Sequence, residues 1–228
     1  MNDTTPTQIG IFAKYWTPGK VKTRLAADIG DERAAAVARL FVETLIRRLN
    51  GGADRHVIGF APAEASAAFS TLAPSGWQVE PQCEGDLGAR MRYYFETAFA
   101  AGAGRVILLG ADSPNVPLAV IREAFERLAD QRLVLGPTDD GGYYLIGARS
   151  EAPPVFDAMP WSDATLWQAT TDRLAARGWR QDRDWSPLPP WYDVDTMDDM
   201  QRLRTELQET SDDQALAALR DSLEEVLA

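Results

Sequence analysis

A chain of 228 residues, 45% hydrophobic and 25% charged, is long enough for one sizeable core or two small ones and reads as an ordinary globular protein. Its 34 acidic against 23 basic residues leave a net charge of −11, which argues against nucleic acid or an anionic membrane as the main partner. A single cysteine, Cys83, excludes an internal disulfide framework and a multi-thiolate zinc site. We expect one domain over 1–228, with an extra helix at about 211–228. Residues 1–6 lack the basic start and apolar core of a signal peptide, and no apolar run is long enough to span a bilayer, so a cytoplasmic protein is expected.

In chain order, 8–13 reads as a short buried strand that Thr17, Pro18 and Gly19 break into a loop. All three lysines, Lys14, Lys20 and Lys22, fall inside that one nine-residue window, and Arg24 follows two positions later. Elsewhere the positive charge is arginine, so a compact ammonium is wanted here, and a phosphate chain is its most economical partner. A solvated basic loop is the bland alternative. The loop is neither a Walker loop nor a GxGxxG turn.

A helix over 31–49 carries Val37, Leu40, Phe41, Thr44, Leu45 and Leu49 on one face and ends at Gly51 and Gly52. A strand over 56–61, a short helix over 62–72 and a strand over 77–80 follow. His56, the lone histidine, opens the 56–61 strand and reads as structural, since imidazole chemistry would need a partner that the sequence does not supply. A helix over 86–101, the apolar strand 105–110, a helix over 117–129 and strands over 133–136 and 143–148 continue the alternation. Such βα units with apolar strands predict an α/β fold of three α/β/α layers around a mostly parallel sheet. A helix over 162–177, stopped by Gly178, leads to a Trp- and Pro-rich stretch. Thr196 with Asp199 three later forms a capping box, and Leu216, Leu219, Leu223 and Val226 recur at helical spacing near the end. Trp16, Tyr143, Trp161 and Trp167 are candidates for ring stacking, although aromatic residues at such spacings are more often core.

Asp112, in Gly-Ala-Asp-Ser-Pro at the end of the most apolar strand, faces the same sheet edge as the lysine loop. A carboxylate opposite a phosphate site calls for a hard divalent cation, Mg²⁺ or Mn²⁺, shared between them. An Asx turn or N-cap before Pro117 is the alternative. Asp193 and Asp195 point the same way on an extended backbone, so one of them is a candidate second ligand; a charge complementing the next helix is the other reading. Asp139, Asp140, Gly141 and Gly142 form a glycine-relaxed acidic loop where backbone can approach an acceptor, or a turn without chemistry. Glu84, Gly85, Asp86, Leu87 and Gly88 open a helix whose N–H groups suit a polar ligand.

PGKVKTRL, EGDLGAR, GADSP, GPTDDGGYYLIG, MPWS and DVDTMDDM, in that order, resemble the glycosyltransferase-like proteins associated with radical-SAM and selenodomain proteins. These are arsenosugar-biosynthesis-type transferases of the nucleotide-diphospho-sugar transferase (GT-A) superfamily. The resemblance covers about residues 9–207 and leaves out the last helix. The basic loop is also similar to that of the 2-phospholactate guanylyltransferases. These resemblances imply that Lys14, Gly19, Lys20, Lys22, Arg24, Gly85 and Asp86 bind the nucleotide phosphates, with Lys20 the weakest of the lysines. They imply that Asp112 and Asp195 hold Mg²⁺ or Mn²⁺, and that Asp139, Asp140, Gly141 and Gly142 line the acceptor side. Lys22, Arg24 and Asp140 are then the catalytic candidates. GADSP carries one aspartate where ordinary GT-A glycosyltransferases carry Asp-x-Asp, and with the basic loop this favours nucleotidyl transfer with release of pyrophosphate over glycosyl transfer with release of NDP. Both readings need a nucleotide donor and a small-molecule acceptor. A non-catalytic nucleotide-binding subunit, with a homodimer through the last helix as one option, is the third.

Overall fold

The computed structural model describes residues 5–209 and 212–228. The first half holds strands β1 (Thr7–Lys14), β2 (Arg55–Ala61), β3 (Trp77–Pro81) and β4 (Arg105–Gly110), with helices α1 (Thr23–Ile29), α2 (Asp31–Leu49), α3 (Ser66–Leu72) and α4 (Leu87–Ala100) between them. α5 (Leu118–Arg127) leads to β5 (Leu133–Pro137) and β6 (Tyr143–Arg149), and then α6 (Leu166–Ala176) to β7 (Trp185–Pro187). Two helices, α7 (Met197–Glu209) and α8 (Gln214–Leu227), close the chain.

The strands form one seven-stranded sheet in the order β3-β2-β1-β4-β6-β5-β7. β1 to β4 are mutually parallel, β6 runs antiparallel to both of its neighbours, and β5 is parallel to β7. Two reversals through β6 return β5 and β7 to the direction of β4, so six of the seven strands end at one edge. From the central β1 the chain runs outward to β2 and β3, then crosses to β4 on the other side of β1. The strand order therefore reverses between β1 and β4, and the loops after both strands lie at the same carboxyl edge of the sheet.

Burial divides the side chains by strand parity. Ile9, Ile11 and Ala13 of β1 pack with Val42, Leu45 and Ile46 of α2, Phe69 of α3 and Ile121 and Phe125 of α5 on one face. Val57, Val106 and Leu108 pack with Met91, Tyr94 and Phe95 of α4 and Leu174 of α6 on the other. A third cluster joins Leu25 of α1, Val37 and Phe41 of α2, Leu203 and Leu207 of α7 and Leu216, Leu219 and Leu223 of α8. The apolar face of α8 is thus covered within the chain. Ser211, where that helix was expected to start, lies outside the described residues. Among the described residues no helix is long and apolar enough to cross a membrane.

Three elements differ from the sequence reading. α1 is a seven-residue helix ended by Gly30 at φ +86°, too short to show a periodic face. β7 is a three-residue edge strand ending in Pro187, a residue type that edge strands tolerate because it need not donate to the ladder. α6 starts at Leu166 and not near 162, because Asp163 Oδ1 accepts from both the N–H and the hydroxyl of Thr165 (2.8 and 2.6 Å) and holds a turn there.

His56 is buried; its Nε2 lies 3.1 Å from the Leu49 carbonyl and its ring lies 4.9 Å from that of Trp77. Burial lowers its pKa from the usual 6.5, more than the Leu49 hydrogen bond and Asp54 raise it. The unfolded chain then binds the proton more readily, so this contribution to stability is complete above about pH 6.5 and is lost as the pH falls below it. Urea unfolding at pH 7.5 and 5.5 is expected to show a smaller loss on acidification in His56→Gln than in the parent; equal losses would count against the assignment.

Candidate active site

Lys22 ends the loop that follows β1. Its backbone is left-handed, φ 47° and ψ 42°, where it stands as the N-cap of α1. A non-glycine residue holds that conformation only when its surroundings over-determine it, and the Lys22 side chain is anchored here. The side chain is only 3% exposed, and Nζ contacts Asp112 Oδ1 closely and Asp195 Oδ1 at 3.1 Å. Nζ also lies 5.3 Å from the centre of the Phe41 ring on α2. Burial pulls the Lys22 pKa down, but the charges and hydrogen bonds of Asp112 and Asp195 outweigh it, so the ammonium stays protonated above the ordinary lysine value.

The two carboxylates arrive on different segments. Asp112 follows β4, and Val194 N–H donates to its backbone carbonyl at 2.9 Å, which ties the 192–195 segment across the end of that strand. Along this segment the alternation expected of extended backbone holds: Tyr192 and Val194 are buried in the α2–α7–α8 cluster, while Asp193 and Asp195 face the Asp112 loop. Only Asp195 touches Lys22. Asp193 accepts from the Ser113 hydroxyl at 2.7 Å, and burial, reinforced by the Asp112 charge, pushes it up to about 7 against the opposing pull of Ser113 and Lys22.

The side chains of Asp112 and Asp195 are 50% and 40% exposed, so both carboxylates reach solvent as well as Lys22. Hard oxygen donors converging on one point fit a divalent cation that takes the rest of its shell from substrate phosphates and water. Among the described residues no group of three or more His, Cys, Asp and Glu is arranged to hold a metal by itself.

Lys14, at the end of β1, and Lys20 and Arg24, around the loop, are exposed, and among the described residues none of them forms an ion pair. Gly19 supplies the turn with φ +73°. The sequence grouped Lys22 with these exposed residues; in the structure its ammonium lies between the two carboxylates. Gly85 and Asp86 lie after β3, separated from β1 by β2, where Asp86 caps α4 by accepting from Ala89 N–H at 2.8 Å.

The 138–142 loop joins β5 to β6. Asp140 Oδ1 accepts from the Thr138 hydroxyl at 2.5 Å and from Gly142 N–H at 3.2 Å, which makes it a loop-closing carboxylate. Asp139 pairs with Arg202 of α7 at 3.4 Å. Gly141, at φ +91°, lies so close to the 161–165 turn that an added Cβ would stand 2.1 Å from the Ala164 carbonyl oxygen. Gly141→Ala is expected to cost about 1–3 kcal/mol through overpacking and backbone strain, read as a lower unfolding midpoint. An unchanged midpoint would show that the two turns separate freely.

Several supporting residues had no sequence signal. Asn115 donates to Tyr192 OH (2.8 Å) and Glu206 Oε2 (2.7 Å), Tyr192 OH donates to Glu206 at 2.8 Å, and the Arg202 guanidinium lies 3.6 Å from the Tyr192 ring centre. This network joins the Asp112 loop, the Asp195 segment and the Asp139 loop to α7. The four aromatic candidates pack against other rings: Trp16 on Phe69, Tyr143 on Trp161, and Trp167 on Trp185.

A mixed sheet whose strand order reverses between β1 and β4, with a lysine and two carboxylates meeting at that edge, has the fold of the nucleotide-diphospho-sugar transferases. Residues 44–163, more than half of the chain, match the family described as "Uncharacterized protein conserved in bacteria (DUF2064)", and the chain belongs to that family. Among solved structures, a protein from Desulfovibrio desulfuricans G20, provisionally described as a nucleotide-diphospho-sugar transferase, is 32% identical with a TM-score of 0.86, covering 98% of this chain and 97% of that one. A cytidylyltransferase from Leptospira borgpetersenii serovar Hardjo-bovis shares the fold at 12% identity and TM-score 0.58, over 98% and 97% of the two chains. The CMP:2-keto-3-deoxy-manno-octonic acid synthetase complexed with CTP shares it at 12% identity and TM-score 0.54, over 90% and 99%. No curated protein matches.

Proposed function

We propose that this protein is a divalent-metal-dependent transferase that takes a nucleotide-activated donor to a small-molecule acceptor, by nucleotidyl transfer with loss of pyrophosphate. The observation that carries the reading is the meeting of Lys22, Asp112 and Asp195, from three separate segments, at the switch point of the sheet. The solvent-facing Lys14, Lys20 and Arg24 stand on the same loop, ready for the outer phosphates. Asp112 and Asp195 would hold Mg²⁺ or Mn²⁺, which supplies neutralisation of the charge that grows on the phosphates. Lys22 and Arg24 add positive charge, and positioning with electrostatics then accounts for most of the rate, with no protein base required. That suits a chain whose only histidine is a structural residue beside Trp77. Asp139, Gly141 and Gly142 line the acceptor side, with Asp140 shaping the loop.

Glycosyl transfer from a sugar nucleotide is the second reading, favoured by the description of the 32%-identical structure from D. desulfuricans. The basic loop would then clamp the departing diphosphate, and Asp140 would have to leave its loop contacts to act as base. Within the class we place the chain with the radical-SAM-associated transferases on the ordered motif set alone. We also read it as cytoplasmic and as one domain that includes α8.

Purified protein with Mg²⁺, a panel of NTPs and sugar nucleotides, and an extract as acceptor pool tests the reading. Pyrophosphate released from one NTP, and lost with Arg24→Ala, establishes nucleotidyl transfer. NDP released from one sugar nucleotide, dependent on acceptor, establishes glycosyl transfer. Neither product with any donor sinks the enzyme reading.

A further inference from the structure

We infer that the Lys22 ammonium is the resident cation of the Asp112 and Asp195 pair, and that a divalent metal enters only together with a polyphosphate that draws the ammonium away. This rests on the reading of the site as one for a metal-bound nucleotide. The two carboxylates that would hold a metal, Asp112 and Asp195, are the ones that Nζ contacts, through Oδ1 of each.

Lys22 is held there by more than chance rotamer choice. Its left-handed backbone, its 3% exposed side chain and the Phe41 ring 5.3 Å from Nζ direct it inward, while Lys14 and Lys20 on the same loop are exposed. An ammonium has three donors, and two carboxylates with an aromatic face nearby suit it as a bound ion.

The consequence is electrostatic. With Lys22 seated, the two carboxylates and the ammonium carry a net charge of one negative unit instead of two, and a metal approaching the pair meets a positive charge already in its place. Free metal is then bound weakly. A triphosphate arriving with its metal offers Lys22 a new anionic partner and releases both oxygens. Nucleotide and metal each raise the affinity of the other, and linkage makes that coupling equal in both directions. Such ordering would keep the carboxylates from taking up free metal ions between turnovers.

The test measures Mn²⁺ binding to full-length protein without nucleotide, by titration calorimetry and by the electron paramagnetic resonance signal of the free ion. Lys22→Met keeps the stem against Phe41 and removes the charge; Lys22→Gln is the second variant in case the first folds poorly. Both are expected to bind free Mn²⁺ at least tenfold more tightly than the parent, and to lose most of the gain in Mn²⁺ affinity that a bound NTP gives the parent. Asp112→Asn in the same background should abolish the gain. Equal affinities for free Mn²⁺ in parent and variants overturn the inference, and leave the transferase reading intact if the parent still binds an NTP with Mn²⁺. Failure of every NTP and sugar nucleotide to bind the parent, with or without Mn²⁺, overturns the transferase reading and this inference with it.

Discussion

Asp112→Asn is expected to lower turnover by about 10²–10³-fold while the protein remains folded, because it takes away one anionic ligand of the divalent cation that would neutralise the phosphates. The amide keeps nearly the same shape and one oxygen toward Lys22, so the change is in charge more than in packing. Lys22 retains Asp195 at 3.1 Å and a neutral oxygen in place of the Asp112 carboxylate, which is 50% exposed, so the weakened hydrogen bond should cost no more than about 1.5 kcal/mol of stability. Unfolding curves and steady-state kinetics on the same preparation separate the two effects. A kcat/KM within twofold of the parent would remove Asp112 from the chemistry. Asp193→Asn provides the contrast, since its carboxylate faces the Ser113 hydroxyl at 2.7 Å and does not reach Lys22; a smaller effect on turnover is expected there.

The strands and most helices were legible because each has a clear local signature. β4 spans the residues read from its apolar run, α2 spans its periodic stretch, and Thr196 with Asp199 forms the capping box that their spacing announces, at 2.9 Å from Thr196 N–H to Asp199 Oδ2. The α/β class followed from that alternation. The antiparallel insertion of β6 was less accessible, since a buried apolar strand reads alike in either direction. At the candidate site, the sequence proposed Lys22, Asp112 and Asp195 singly, each at a strand end or helix start, and the fold brings their side chains together. It assigned Lys22 to the phosphates because nothing local marks a left-handed lysine whose side chain turns inward. Asp140, singled out for its charge and glycine neighbours, also closes its own loop by accepting from the Thr138 hydroxyl and Gly142 N–H, a role that only the folded loop reveals. The Asn115, Tyr192 and Glu206 network joins positions 77 and 91 residues apart in the chain, so only the fold brings it together.

Arg48→Met should destabilise the protein by about 3–5 kcal/mol, the cost of removing one member of a buried ion pair. Arg48 is on α2 and its side chain is only 4% exposed. Nε donates to Asp213 at 2.8 Å, and NH1 donates to the carbonyls of Pro114 and Val116, each at 2.8 Å. Those carbonyls belong to the loop that carries Asp112, and Asp213 caps α8 by accepting from Ala215 and Leu216 N–H. One guanidinium therefore fastens the last helix and the Asp112 loop to the same point of α2. Burial would raise the Asp213 pKa, but the hydrogen bond and charge of Arg48, aided by those two N–H groups, outweigh it and hold the pKa below 3.8. A carboxylate depressed in the folded state contributes stability that is complete above its unfolded value and lost as the pH falls through the folded one. Arg48→Met should therefore unfold at a higher pH on acid titration than the parent, besides showing a lower urea midpoint at neutral pH. Asp213→Asn should reproduce the acid shift with a smaller neutral-pH loss, because Asp213 is 23% exposed and its amide can still cap the helix. Parent-like midpoints in Arg48→Met would mean that α8 and the Asp112 loop hold their places without this arginine.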